Sequence, residues 1–332
     1  MRPKSLFVLG KHRFADIYGP AALETIRNLT DVLSDKAIEK ADVAAHADLL
    51  AESEVIFSGW GAFRMDAEFL KLTPKLKAVF YGAGSVKGII SDALWDRGIV
   101  LTSSWGANAV PVAEFTLAQI LFSLKLGWRH MREIRVNAKY NRSMAVPGAY
   151  GSTVAVISLG MIGRLVCEYL KHFDLHVIAY DPFAKQSDAD SLGVRLCSLE
   201  DCFREADVVS LHAPWLKETE KMITGEHFAM MKEDATFINT SRGAIVHDLS
   251  MMTVLQERSD LSVLLDVTYP EPPAEGSPLY TLPNVYLTPH IAGSMGNECR
   301  RMGQYAIDEC RRYLLGEPLQ WQVTKELAAR MA

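Results

Sequence analysis

Long apolar runs, an excess of charge of either sign, and cysteines at paired spacing are all missing from this chain, and each absence removes a class of protein. No uninterrupted apolar stretch in the 332 residues approaches the roughly 20 that a bilayer-spanning helix needs, so no membrane is expected. The start, M-R-P-K-S-L-F-V-L-G, is basic, but its one short apolar run is broken by Gly10 and Lys11 and reads as a first strand rather than a secretory leader. Lysine and arginine number 35 against 40 aspartate and glutamate, a formal net charge of −5. With both signs mixed along the chain, no basic footprint for nucleic acid is left. The five cysteines, Cys167, Cys197, Cys202, Cys299 and Cys310, are odd in number and spaced for neither a disulfide framework nor a zinc site. No metal is expected, and a reducing cytoplasm is the simplest setting.

What is present is apolar patterning. Apolar residues make up 49% of the chain, ample for sizeable cores, and the length suits about two domains. The chain is organised around residues 153–181. Val154, Ala155, Val156 and Ile157 read as a buried parallel strand, the turn S-L-G-M-I-G follows at 158–163, and Leu165, Val166, Tyr169 and Leu170 recur at helical spacing. A second strand over 177–180 ends on Asp181, eighteen positions beyond Gly163, where a dinucleotide fold carries its acidic residue. In this reading Gly160 lets the backbone approach a pyrophosphate and Gly163 lets the helix pack on the strand. The helix N-terminus, at Met161 and Ile162, offers free N–H groups to the anion. Asp181 would accept from a ribose 2′-hydroxyl and repel a 2′-phosphate, which favours NAD over NADP. Ser158 stands where the motif's first glycine belongs; should the turn need positive φ there, serine costs roughly 1–2 kcal/mol.

Further short apolar segments at 5–9, 55–57, 78–81 and 99–101, and at 194–196, 208–211, 236–239, 263–266 and 285–287, alternate with helical patterns. Such alternation means parallel sheets with helices on both faces and ligands beyond the carboxyl ends of strands. Two loops lie at such ends, S-G-W-G at 58–61 and G-A-G-S-V-K at 82–87. In the second, the N–H groups of Gly84, Ser85 and Val86 suit an anion-binding nest; a plain glycine turn reads equally well. Residues 108–125 form a helix too apolar to be left in water, expected between domains or subunits. After it, residues 127–151 interleave Arg129, Arg132, Arg135, Lys139 and Arg142 with Trp128, Tyr140 and Tyr150. That composition belongs to a solvated basic segment or to an arm embracing a partner subunit. A last amphipathic helix over 297–315 is stopped by Gly316 and Pro318.

Three loops at carboxyl ends of expected strands gather reactive groups: N-T-S-R-G with Arg242, D-V-T-Y-P-E-P with Asp266 and Glu271, and T-P-H-I-A-G with His290. Arginine, carboxylate and histidine suit hydride transfer at a keto acid. Arg242 can grip a carboxylate bidentately and polarise the neighbouring carbonyl. His290, as imidazolium, can give a proton to the carbonyl oxygen while hydride arrives at carbon. Glu271, bonded to the other ring nitrogen, would orient the imidazole and stabilise its charge.

At these residues the sequence resembles the D-isomer-specific 2-hydroxyacid dehydrogenases. The likeness runs through N-A-V-P-V-A-E at 108–114, S-L-G-M-I-G at 158–163, L-H-A-P at 211–214, N-T-S-R-G-A at 239–244, L-D-V-T-Y-P-E-P at 265–272 and T-P-H-I-A-G at 288–293. The resemblance implies two doubly wound parallel-sheet α/β domains, a Rossmann NAD-binding domain over 103–292 inserted into a flavodoxin-like substrate-binding domain made of 1–102 and 293–332, with a cleft between them. It implies that Arg242, with the amides of Gly84, Ser85 and Val86, binds substrate and that Glu271 and His290 are the catalytic pair. NAD would be held by Ser158, Gly160, Met161, Ile162, Gly163, Asp181, His212, Ala213, Pro214, Thr240, Ser241, Asp266 and His290, with Asp266 on the nicotinamide carboxamide. It also implies a homodimer through the 108–150 helix and arm.

Two further departures from the family pattern bear on cofactor affinity and on substrate specificity in turn. Met161 takes a place that often holds a basic or polar residue, and Lys87 stands at an aspartate position, where a side chain turned to solvent is favoured over one contacting a distal anion of the substrate. The expected activity is reversible hydride transfer between NADH and a small 2-keto acid. The alternatives are a phosphoglycerate dehydrogenase-type enzyme, with Arg64 and Lys87 as candidate phosphate ligands, and an NAD(H)-sensing binding protein on the same scaffold.

Overall fold

The computed structural model describes residues 2–141 and 144–331; Arg142 of the basic segment lies outside them. The chain divides into two compact units, one of residues 1–109 and 294–332, the other of residues 110–293. The family-based division at 102 and 293 differs at the first crossing by several residues. The helix Trp105–Leu124 explains this, since Ala107 belongs to a core cluster of the first unit and Trp105 packs edge-on against Trp321 with ring centroids 5.2 Å apart. The chain therefore leaves the first unit inside a helix rather than ahead of it.

The first unit is a five-stranded sheet, β1 (Lys4–Val8), β2 (Asp31–Ile38), β3 (Val55–Ser58), β4 (Ala78–Tyr81) and β5 (Val100–Ser103), in the order β2-β1-β3-β4-β5 and parallel throughout. This is the flavodoxin-like order. β3 and β4 are buried along their whole length, as their largely apolar runs require, and the buried Ser58 that ends β3 donates its hydroxyl to Val8 O at 2.7 Å. The sequence reading missed β2, whose D-V-L-S-D-K-A-I is charged, is buried only at its end, Ala37 and Ile38, and slips in register in its pairing to β1. An edge strand is guarded in this way against pairing with other chains, and it loses its hydrophobic signature in consequence. The C-terminal segment, uninformative as sequence, covers the other edge: Ser103 N donates to Trp321 O and Val323 N to Leu101 O. The buried Glu309 holds it there, accepting from Gln320 N and Trp321 N while paired with Arg312 at 2.7 Å.

The second unit is a seven-stranded parallel sheet, β6 (Tyr150–Ile157), β7 (Asp174–Tyr180), β8 (Arg195–Leu196), β9 (Val208–Leu211), β10 (Thr236–Asn239), β11 (Ser262–Leu265) and β12 (Val285–Leu287), ordered β12-β11-β10-β9-β6-β7-β8. Counted within the unit this is 3-2-1-4-5-6 with a seventh strand added, the dinucleotide-binding order, and its topological switch point lies between β6 and β9. Ile157 pairs with both Tyr180 and Leu211, so Ser158, Asp181 and His212 leave the sheet side by side.

The 20-residue helix Trp105–Leu124 is long and apolar enough to cross a membrane by length and composition. Half of it is buried within the chain, and it carries Pro111 and the exposed Glu114, as a core helix does. The helix Gly127–Asn137 that follows leaves Met131 and Val136 exposed, with Tyr140 and Tyr150 beyond it.

Candidate active site

The nucleotide turn is built by strain at one end and close packing at the other. Ser158 holds φ +77° and donates its N–H to Tyr180 O at 2.7 Å. The first position of the motif thus does need the left-handed region, and it is held there by serine. Asp181 fastens the same turn: its carboxylate accepts from Leu159 N at 2.7 Å and Phe183 N at 2.8 Å, with Ser158 Oγ at 3.4 Å. Gly160 caps the helix Met161–Leu170 without a side-chain partner, and a Cβ built on it would meet nothing nearer than Ser158 Oγ at 3.9 Å. A Cβ on Gly163 would fall on the carbonyl oxygen of Ser158. Gly163 is therefore required by the fold, whereas the space before Gly160 is open and faced by the unpaired N–H groups of a helix start. Met161 is exposed at the first helical position, and Ile162 packs partly into the core. These donors fit a dinucleotide pyrophosphate. Glycine at position 158 relieves the φ strain, so Ser158→Gly is expected to raise the unfolding free energy by about 1 kcal/mol, measured by urea denaturation.

Beyond β9, His212 N donates to Ile157 O at 2.9 Å. The His212 ring is buried, with Nε2 2.9 Å from Ser210 Oγ and Nδ1 without a hydrogen-bond partner among the described residues. Burial holds its pKa down at about 3, so the ring is neutral near pH 7. An unfolded chain protonates this histidine below about 6.5, so its contribution is complete above that pH and is lost as the pH falls from 6.5 toward 3. Between pH 7.5 and 4.5 the loss is about 2–3 kcal/mol, and His212→Gln is expected to remove that part of the acid slope in urea-unfolding curves. Ala213 O accepts from Ser241 Oγ and Pro214 O from Thr219 Oγ1 at 2.6 Å. Thr240 Oγ1 lies 3.2 Å from Thr116 Oγ1 on the long helix.

The three reactive loops converge at the carboxyl ends of β10, β11 and β12. Asn239 shapes the first, its Oδ1 accepting from Ser241 N at 2.9 Å and its Nδ2 donating to Arg242 O at 3.0 Å. The next residue, Gly243, is pressed against Thr268 so closely that a Cβ would fall on that residue's backbone. The guanidinium of Arg242 donates to Ser241 O at 2.7 Å; burial lowers its pKa and the Glu271 charge opposes that. Asp266 is buried and spends its carboxylate on the histidine loop, accepting from Thr288 Oγ1 at 2.6 Å, Ile291 N at 2.8 Å and Ala292 N at 2.9 Å. Asp266 O also takes the N–H of His290, whose φ is +56°. His290 Nδ1 lies 2.7 Å from Glu271 Oε1, and both side chains are nearly half exposed, at 49% and 43%. With Glu271 as acceptor, Nδ1 carries the hydrogen and Nε2 is the ring nitrogen turned away from that bond.

In the first unit the 82–87 loop is pinned by its neighbours. Ser103 Oγ donates to Ala83 O and Gly84 O, and Ser104 N to Tyr81 O and Ala83 O. With those carbonyls engaged, the amides of Gly84, Ser85 and Val86 are not drawn into the same bonds. The Val86 side chain is core, so only its backbone can serve a ligand, and Lys87 is exposed. Trp60 is partly buried beneath Arg13, whose guanidinium lies 5.5 Å from the ring centroid. Asn239, Thr268 and the loop-shaping work of Asp266 went unread in the sequence. An asparagine two residues before serine is a recognisable Asx-turn signal; the approach of Gly243 to Thr268 has no local sign.

Residues 117–292 match the family model described as D-isomer specific 2-hydroxyacid dehydrogenase, NAD binding domain. The D-3-phosphoglycerate dehydrogenase of Mycobacterium leprae is 29% identical over 296 residues, 89% of this chain and 56% of that protein. The chain thus spans little more than half the length of that relative. The glyoxylate reductase of Korarchaeum cryptofilum is 30% identical over 257 residues, 76% of this chain and 77% of that protein. Among solved structures, the NAD-complexed D-isomer specific 2-hydroxyacid dehydrogenase of Lactobacillus delbrueckii ssp. bulgaricus has the same fold, with a TM-score of 0.78 at 22% identity over 97% of this chain and 100% of that one.

Proposed function

Because this chain belongs to the D-isomer specific 2-hydroxyacid dehydrogenase family, we propose that it is an NAD-dependent oxidoreductase that passes hydride reversibly between NADH and a small 2-keto acid. The observation that carries the proposal is the His290–Glu271 pair, 2.7 Å apart, with a partly buried arginine guanidinium in the same unit.

Bound NADH supplies the hydride. Arg242 binds the keto acid's carboxylate and draws electron density from the adjoining carbonyl. Glu271 holds the Nδ1–H of His290 and stabilises the imidazolium, so that Nε2–H gives its proton to the carbonyl oxygen and recovers it in the reverse direction. The amides of Gly84, Ser85 and Val86 are the second anchor for the acid. The turn from Ser158 to Gly163 holds the pyrophosphate, and Asp181, at the end of β7, selects NADH over NADPH. His212, Ala213, Pro214, Thr240 and Ser241, just beyond the carboxyl ends of β9 and β10, would line the cofactor's site. Asp266, with three donors already on its carboxylate, serves chiefly to fix the loop that carries His290 and has one Oδ2 lone pair left for the carboxamide.

Two finer points belong to the same reading. The exposed Met131, Val136, Tyr140 and Tyr150 support a homodimer formed through the arm, to be read by light scattering on the purified chain. The five cysteines, all free, support a reducing cytoplasm.

The test is NADH oxidation followed by absorbance across glyoxylate, hydroxypyruvate, pyruvate, 2-ketoisocaproate, phenylpyruvate, oxaloacetate and phosphohydroxypyruvate, with NADPH in parallel. Turnover with one class and NADH preferred supports the proposal. Preference for phosphohydroxypyruvate moves it to the phosphoglycerate dehydrogenase type. Tight NADH binding with no turnover on any member replaces it with a sensor.

A further inference from the structure

Two of the five thiols are neighbours. The helix Leu199–Glu205 is capped by Ser198, whose Oγ accepts from Asp201 N at 3.0 Å. Cys197 therefore stands just before the cap and Cys202 at the fourth helical position, the two places that an apolar staple normally fills to fix the entry of the chain into a helix. Here both are cysteine, with Sγ atoms 3.5 Å apart. Cys197 is partly exposed and Cys202 buried. The other three cysteines are buried with no thiol beside them among the described residues, and burial pushes Cys167 and Cys310 up to about 12. Cys197 is shifted the other way, chiefly by a hydrogen bond with the Cys202 thiol, with the nearby Arg195 charge assisting.

We propose that Cys197 and Cys202 are a modification site, a dithiol that closes reversibly to an intrachain disulfide when hydrogen peroxide or another small two-electron oxidant reaches Cys197. The accessible sulfur is the one a peroxide can meet, and the buried sulfur is already in contact with it. In the first step the Cys197 thiolate attacks one peroxide oxygen, the O–O bond breaks, hydroxide leaves, and Cys197 becomes a sulfenic acid. In the second, the Cys202 sulfur attacks the Cys197 sulfur, the S–O bond breaks, and hydroxide leaves to combine with the Cys202 thiol proton as water. Two thiols are oxidised and one peroxide is reduced to two waters.

Closure brings the sulfurs from 3.5 Å to about 2.05 Å. The backbone of Cys197 is held by its N–H to Ala179 O at 3.0 Å, so the movement falls on the two side chains. The spacing of the pair is short in sequence, and neither residue belongs to the proposed catalytic set. The proposal is thus independent of which keto acid the chain reduces.

The experiment is peroxide titration of the intact native chain, followed by alkylation of the remaining thiols, mass measurement and peptide mapping. Loss of two hydrogens, three alkylated cysteines and a peptide joining residues 197 and 202, all reversed by dithiothreitol, are the expected results. In Cys202→Ser the oxidation should stop at one added oxygen on Cys197, trapped by dimedone; in Cys197→Ser residue 202 should stay reduced. Over-oxidation of Cys197 in the native chain without loss of two hydrogens overturns the proposal, as does a disulfide joining two chains. The native-chain map decides even where a serine variant fails to fold.

Discussion

Glutamine in place of His290 is expected to lower kcat for the preferred keto acid by about 10²–10⁴ while leaving NADH binding nearly intact. The imidazole is the one group on these loops that can hold a proton on the nitrogen opposite an acceptor. Its Nδ1 lies 2.7 Å from Glu271 Oε1, and glutamine can accept or donate there without passing a proton. The backbone complicates a single variant, because His290 sits at φ +56°, where glutamine is strained and asparagine is tolerated. His290→Asn supplies the control: it keeps the backbone conformation and loses the chemistry. Both variants should bind NADH by fluorescence titration and fail in turnover, and only the glutamine variant should also lose thermal stability. Turnover retained in either variant removes His290 from the role of acid. Glu271→Gln should fall between, since it keeps a hydrogen-bond partner for the ring and discards the charge that stabilises the imidazolium.

Much of the fold was legible because buried parallel strands declare themselves. β4, β9 and β10, buried along their length, lie where short, largely apolar segments put them, as does the half-buried β12, and Asp181 follows the second strand of the nucleotide unit at the end of Tyr180. What failed to show was of two kinds. β2 and the C-terminal cover of β5 lie at sheet edges, where polarity is selected against aggregation and erases the pattern. The supporting shell of the site was invisible for another reason. Asp266 reaches Thr288, Ile291 and Ala292 across more than twenty positions of sequence, and Thr116 reaches Thr240 across 124. Such pairings come from strand order, which residue periodicity does not encode. Ser158 is an intermediate case. A serine at the motif's first position is visible in the sequence, but its consequence depends on a backbone angle that only the structure gives: φ is +77°, so the strain is present, and Asp181, bonded to the next N–H, helps to hold it.

Gly243→Ala is expected to lower kcat/KM for the keto acid by about 10²-fold, although it adds a single methyl group beside no reacting atom. Gly243 does not occupy the left-handed region, so backbone preference gives no reason for glycine there. Space does: the new Cβ would fall among the Cα, C and O of Thr268, and backbone cannot swing aside as the tip of a side chain can. Either the 239–243 turn or the loop after β11 must move, and the residue at the junction is Arg242. Its carbonyl is held by Asn239 Nδ2 and its guanidinium by Ser241 O, so a shift of the turn is transmitted to the group that grips the carboxylate. Overpacking of this kind costs about 1–3 kcal/mol of stability, which urea denaturation should register beside the kinetic loss. The contrast is Gly88→Ala, where a Cβ meets nothing within 4 Å and φ is not positive; stability there should be unchanged. If Gly243→Ala keeps its kcat/KM while losing stability, the contact with Thr268 supports the fold alone, and the aim of Arg242 must be set by Asn239 and Ser241.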